Sequence, residues 1–134
     1  MGTDAIVLPS PDVYREDFYF VTSQAFKNEK IKIVAAFLSA IGQAQQFITE
    51  NSSQSMDIVS KRLNLKREVI ERIWTEYRFE LMLDQSIIVT LEDEARWAVA
   101  SQLVPGKRIP NYLEYIYAEP LKQILPDNVD IIAK

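Results

Sequence analysis

The chain has 134 residues, 48% of them apolar and 25% charged, a composition that supports one globular domain with a sizeable core and argues against disorder. Its formal net charge of −4 offers no general attraction for nucleic acid or anionic lipid. There is no cysteine and no histidine, which excludes thiol nucleophiles, disulfides and imidazole- or thiolate-ligated metals, and removes the commonest general acid–base side chain.

The first stretch, residues 1–17, reads as an extended lead-in with a turn at Pro9-Ser10-Pro11. No run is expected to reach the length of a membrane-spanning helix, and no basic, apolar leader opens the sequence. Phe18-Tyr19-Phe20-Val21-Thr22 is aromatic and β-branched, which predicts a strand, and Ser23 suits a helix N-cap. From Asn28 to Glu50, Ile31, Val34, Phe37, Leu38, Ile41, Ala44 and Ile48 recur at three-and-four spacing and predict one long amphipathic helix. Asn51-Ser52-Ser53 ends it and opens a second helix with Met56, Ile58, Val59 and Leu63. A third follows the turn at Asn64-Leu65, with Val69, Ile70, Ile73 and Trp74 facing inward.

Phe79, Leu81 and Leu83 alternate with Glu80 and Met82, which predicts a short extended segment. Either Asp84 or Thr90 can cap the next helix; Asp84 gives the longer stripe, from Ile88 through Leu91, Ala95, Ala98 and Val99 to Leu103, with Trp97 facing inward. Pro105-Gly106 would stop it. Beyond Pro110 lies a short aromatic helix carrying Tyr112, Leu113, Ile116 and Tyr117. Pro120 can open a last helix, where its missing N–H costs nothing, and Pro126 closes it. Residues 129–132 are a possible terminal strand. The expected fold is therefore mainly α, with four to six helices in a single domain and short strand pieces near both ends.

Few residues suggest chemistry. Gln85 and Ser86 stand where an extended segment enters a helix, so free backbone N–H groups there could hold an anion. The stronger alternative is that Asp84 caps the helix and takes those donors itself. Glu92, Asp93 and Glu94 are consecutive, so they fan around a helix near its beginning rather than converging for acid–base work. Arg96 can pair with Glu92 or Asp93. Tyr112, Tyr115 and Tyr117 are expected to be half-buried packing. No phosphate-binding loop, dinucleotide fingerprint or nucleophile–base set is present, so no cofactor, metal site or enzymatic activity is expected.

Four stretches, in fixed order, carry a resemblance. They are Asp17–Ser23 running on to Ala44-Gln45-Gln46-Phe47-Ile48; Ser60-Lys61-Arg62-Leu63-Asn64-Leu65; Phe79–Ser86 followed by Leu91-Glu92-Asp93-Glu94-Ala95-Arg96-Trp97; and Ile109-Pro110-Asn111-Tyr112-Leu113 continuing to Pro126. Together they resemble the C-terminal part of periplasmic substrate-binding proteins of ABC transporters, in the group serving nitrate, sulfonates, taurine and thiamine precursors. The resemblance implies a type II periplasmic-binding-protein fold of two α/β lobes that close on a small solute and deliver it to an ABC permease outside the cytoplasm.

This chain would follow the second crossing between lobes, with Phe18–Thr22 as the returning strand. The opening strands that line the ligand cleft would lie outside it. The chain alone is then expected not to bind ligand, and its unpaired strand invites self-association by exchange of the N-terminal segment.

Two rival readings stand beside it. Residues 55–74 have the outline of a helix-turn-helix, with Lys61, Arg62, Lys66, Arg67 and Arg72 available for phosphates, but Glu68 and Glu71 lie on the would-be recognition helix. The chain as a whole is acidic, so binding to nucleic acid is not expected. The other rival is a helical protein–protein interaction module.

Overall fold

A computed structural model describes residues 16–132. The protein is mainly helical. Six α-helices follow in order: α1 Gln24–Glu29, α2 Ile31–Glu50, α3 Ser52–Leu63, α4 Arg67–Trp74, α5 Ser86–Ala100 and α6 Glu119–Ile124. Two 3₁₀ turns, Tyr112–Tyr115 and Pro126–Asn128, flank α6. Residues 1–15 of the expected lead-in, including the Pro9–Pro11 turn, lie outside the described residues.

Ser23 caps α1 as expected: its backbone is extended and its hydroxyl accepts from the Phe26 N–H at 3.1 Å. The long helix expected from Asn28, however, is two helices. The break falls at Lys30 (φ −126°, ψ 32°), whose N–H donates to the Phe26 carbonyl at 2.8 Å and closes α1 before α2 begins. The Phe18–Thr22 stretch has strand composition but no ladder. Strand-like residues need a neighbouring strand to saturate their backbone, and none is present among the described residues. Phe20 instead lies edge-on to Phe37 of α2, ring centroids 4.9 Å apart.

α2 packs against α1, α3 and α6, and α3 packs on α4. Val34, Leu38, Ile41 and Ile48 face these neighbours and are half-buried, while Ile31, Phe37 and Ala44, expected on the same inward stripe, are exposed. With 20 residues and a mean hydropathy of 1.3 over its most apolar window, α2 is also long and apolar enough to cross a bilayer by length and composition, contrary to the expectation that no run is. Gln45 in its middle is committed to the fold, as described below.

Two helices end in left-handed residues other than glycine. Asn64 (φ 53°) follows α3, with Leu65 N–H donating to the Ser60 carbonyl at 3.1 Å. Gln102 (φ 58°) ends α5, with Leu103 N–H donating to the Ala98 carbonyl at 2.9 Å and Gln102 N–H to that of Val99 at 3.1 Å. This is the Schellman arrangement, in which the left-handed residue turns two N–H groups back onto free carbonyls. It stops α5 ahead of the Pro105-Gly106 pair expected to do so.

The early stop leaves Leu103 outside the helix and exposed. Trp97, expected inward, is 64% exposed. Pro120 lies in the first turn of α6 as expected and is buried.

The core is small. Among the described residues the buried apolar side chains are Ile70 of α4, Ile87 and Ile88 of α5, and Leu121 of α6. The chain's accessible surface totals 11237 Å². A compact monomer of this mass exposes roughly 7,200 Å².

Candidate functional site

The extended segment from Phe79 forms the most connected region of the chain. It pairs with the stretch after the Pro126 turn through a single parallel bridge, Leu83 with Val129. Leu83 N–H donates to the Asn128 carbonyl at 2.8 Å, and Asp130 N–H donates to the Leu83 carbonyl at 3.0 Å. The expected terminal strand is thus reduced to one paired residue. No further strand lies alongside among the described residues, so neither side extends into a ladder.

Side chains complete what a sheet would otherwise do. Gln45 of α2 accepts the Leu81 N–H on its Oε1 at 2.7 Å, and Asn128 Nδ2 donates to the Leu81 carbonyl at 3.0 Å. The segment is thereby fixed between the long helix and the C-terminal stretch.

Gln85 and Ser86, the candidate anion donors, sit at the start of α5 where the sequence places them. Their N–H groups are taken. Gln85 N–H donates to Asp130 Oδ1 at 2.8 Å and Ser86 N–H to Asp84 Oδ1 at 2.8 Å; the Ser86 hydroxyl also donates to that Asp84 oxygen. Gln85 Oε1 in turn accepts the Ile132 N–H at 3.3 Å. Two carboxylates at a helix N-terminus satisfy its donors and complement its dipole, which fills the place an anion would take.

Asp84 was legible as a cap from its own neighbourhood. Asp130 was not, since it comes from 45 residues away.

The carboxylates further along α5 do no convergent work. Arg96 binds Glu92 at 2.7 Å and Asp93 at 2.6 Å, and the two carboxylates together, through hydrogen bonds first and charge second, raise the guanidinium pKa. These residues lie in the middle of α5, not in its first turn as the sequence suggested, because the helix already starts at Ser86. Of the tyrosines, Tyr112 and Tyr117 are half-buried as expected, and Tyr117 lies 4.5 Å beneath the Lys27 ammonium. Tyr115 is exposed.

The α3–α4 pair has a helix-turn-helix outline, with Asn64 in the left-handed turn. Its central cation faces inward. Arg67 binds Asp57 of α3 and Glu71 of α4, and donates to the Ser53 carbonyl at 2.9 Å and its hydroxyl at 3.2 Å. Desolvation works against this charge, but the hydrogen bonds and charges of Asp57 and then Glu71 outweigh it and raise the pKa. Arg67 therefore clamps two helices together and is not presented to a phosphate. Compared with family models, with curated proteins and with solved structures, the chain finds no match in any of the three.

Proposed function

We propose that this chain is the C-terminal part of a solute-binding protein of an ABC import system, acting outside the cytoplasm. Its parent would capture a small anion or heterocycle between two α/β lobes of the type II periplasmic-binding-protein kind and pass it to the permease. The observation that supports this most is the parallel Leu83–Val129 pair.

Parallel neighbours cannot be joined by a hairpin; they need a crossover, normally carrying a helix. Here the crossover contains α5 and α6. All-parallel pairing is characteristic of α/β layers covered by helices. Of the four ordered stretches, the one from Phe79 to Trp97 carries the resemblance most, and Asp17–Ser23 is where that family's returning strand would fall. Exposure of Phe18, Val21, Phe79 and Ile132 fits segments that belong beside further strands.

In this reading the protein is not an enzyme, and its polar groups hold structure. Gln85 and Ser86 anchor the start of α5 and do not contact solute. Titration calorimetry of the native gene product with nitrate, taurine, an alkylsulfonate and a pyrimidine tests the proposal. Binding of one of them supports it; a product that binds none of the four contradicts it.

The α3–α4 outline favours one second reading, DNA binding, although Arg67 is occupied by Asp57 and Glu71. Fluorescence anisotropy with mixed-sequence DNA at low salt decides it: salt-sensitive binding supports that reading, and no binding removes it.

A further inference from the structure

The outward face of α2 carries a regular seam. Ile33, Phe37, Ala40, Ala44 and Phe47 are all exposed, and their spacing is four, three, four, three. That is the spacing of residues that meet a second helix in a coiled coil. The adjoining face, about a quarter-turn round the helix, carries Val34, Leu38, Ile41 and Ile48 and is the one turned toward the rest of the chain.

We infer that this seam is occupied by α2 of a second copy, packed antiparallel about a two-fold axis through Ala40. Two observations select a second copy. The first is packing. A two-fold at Ala40 sets Ile33 level with Phe47 of the second copy and Phe37 near the level of its Ala44, so the layer beside the axis joins a bulky group to a small one, and alanine at the centre lets the helix axes come within about 8 Å. Phe20, edge-on to Phe37, widens the apolar strip.

The second is charge. Lys30 and Lys32 mark the start of α2 and Glu50 its end. Lys32 and Glu50 are 18 residues apart, about five full turns, and so share one flank of the helix. Antiparallel pairing brings each lysine end beside Glu50 of the second copy and opposes the two helix dipoles; parallel pairing would set like charges together.

A bilayer is the other environment that α2's length would suit. The Gln45 bond to Leu81 and the packing of α6 on α2 hold the helix within the assembly instead.

Sedimentation velocity on the full chain, over a concentration series from low to high micromolar, tests the inference, with circular dichroism as the check on folding. The wild type is expected to run as a dimer. Ala40→Glu places a carboxylate on the axis at a position exposed in the single chain, and is expected to give a folded monomer. Lys32→Glu is expected to weaken association by roughly tenfold at low salt, and Lys32→Glu combined with Glu50→Lys to restore it. A wild-type monomer throughout, a dimer unaffected by Ala40→Glu, or cosedimentation with phosphatidylcholine vesicles in place of dimerisation would each overturn it.

Discussion

Leu83 and Val129 meet as a parallel pair across 46 residues of chain, and the two hydrogen bonds that flank them are the strand-to-strand backbone bonds among the described residues. What keeps so short a pairing in place is the side-chain framework around it. Gln45 takes the N–H of Leu81, Asn128 takes its carbonyl, and Asp130 takes the N–H of Gln85.

Gln45→Ala leaves the Leu81 N–H part-buried without its acceptor. Loss of such a partner costs about 1–3 kcal/mol, so urea denaturation should show a lower midpoint with an unchanged slope. An unchanged midpoint would mean that the framework does not hold the segment.

Gln102 adopts a left-handed backbone that costs a side-chain-bearing residue about 1–2 kcal/mol relative to glycine. Gln102→Gly should keep the Schellman closure of α5 and raise stability by about 1 kcal/mol, net of glycine's greater freedom when unfolded. Thermal unfolding followed at 222 nm measures it, and the variant should melt higher.

Gly42 lies inside α2, where an added Cβ would rest 3.7 Å from Leu125 Cδ1, an ordinary contact. Gly42→Ala is expected to stabilise the protein by about 0.5–1 kcal/mol, because alanine restricts the unfolded chain and favours the helix. A fall in melting temperature would show that α2 and the C-terminal stretch are packed more tightly than this spacing.

Ser55 is 3% exposed, and its hydroxyl has no hydrogen-bond partner among the described residues. Removing an unsatisfied buried hydroxyl relieves its desolvation at little cost in packing. Ser55→Ala should therefore be neutral or stabilising by up to about 1 kcal/mol in the same denaturation assay. A clear loss of stability would reveal a partner for that hydroxyl.

Local signals in the sequence located the helices well. Ser23, Asp84 and Pro120 each act within a turn of themselves, and their roles as cap, cap and helix opener were legible from spacing alone. The break at Lys30 was not, because no proline, glycine or capping side chain marks it and only backbone geometry separates α1 from α2.

Inward and outward faces were harder to assign. Trp97 satisfies the helical period of α5, yet it lies outside because no element among the described residues covers it. The same holds for Phe37 and Ala44 on α2, whose seam is apolar but turned away from α3 and α6. At the candidate site, Asp84 could be read from the sequence. Asp130 and Gln45 could not, since both reach the segment from more than 30 residues away and nothing local marks them. Strand composition at Phe18–Thr22 was a true feature of the sequence, but no strand among the described residues lies beside it to form a ladder.

The central claim is that the Leu83 and Val129 segments belong to a parallel α/β layer supplied by the parent protein. A crystal structure of the native gene product tests it most directly. The account predicts both segments inside a predominantly parallel sheet of several strands, with Phe18–Thr22 joined to a sheet of the same product. The same single bridge, with no further strand on either side, would contradict it.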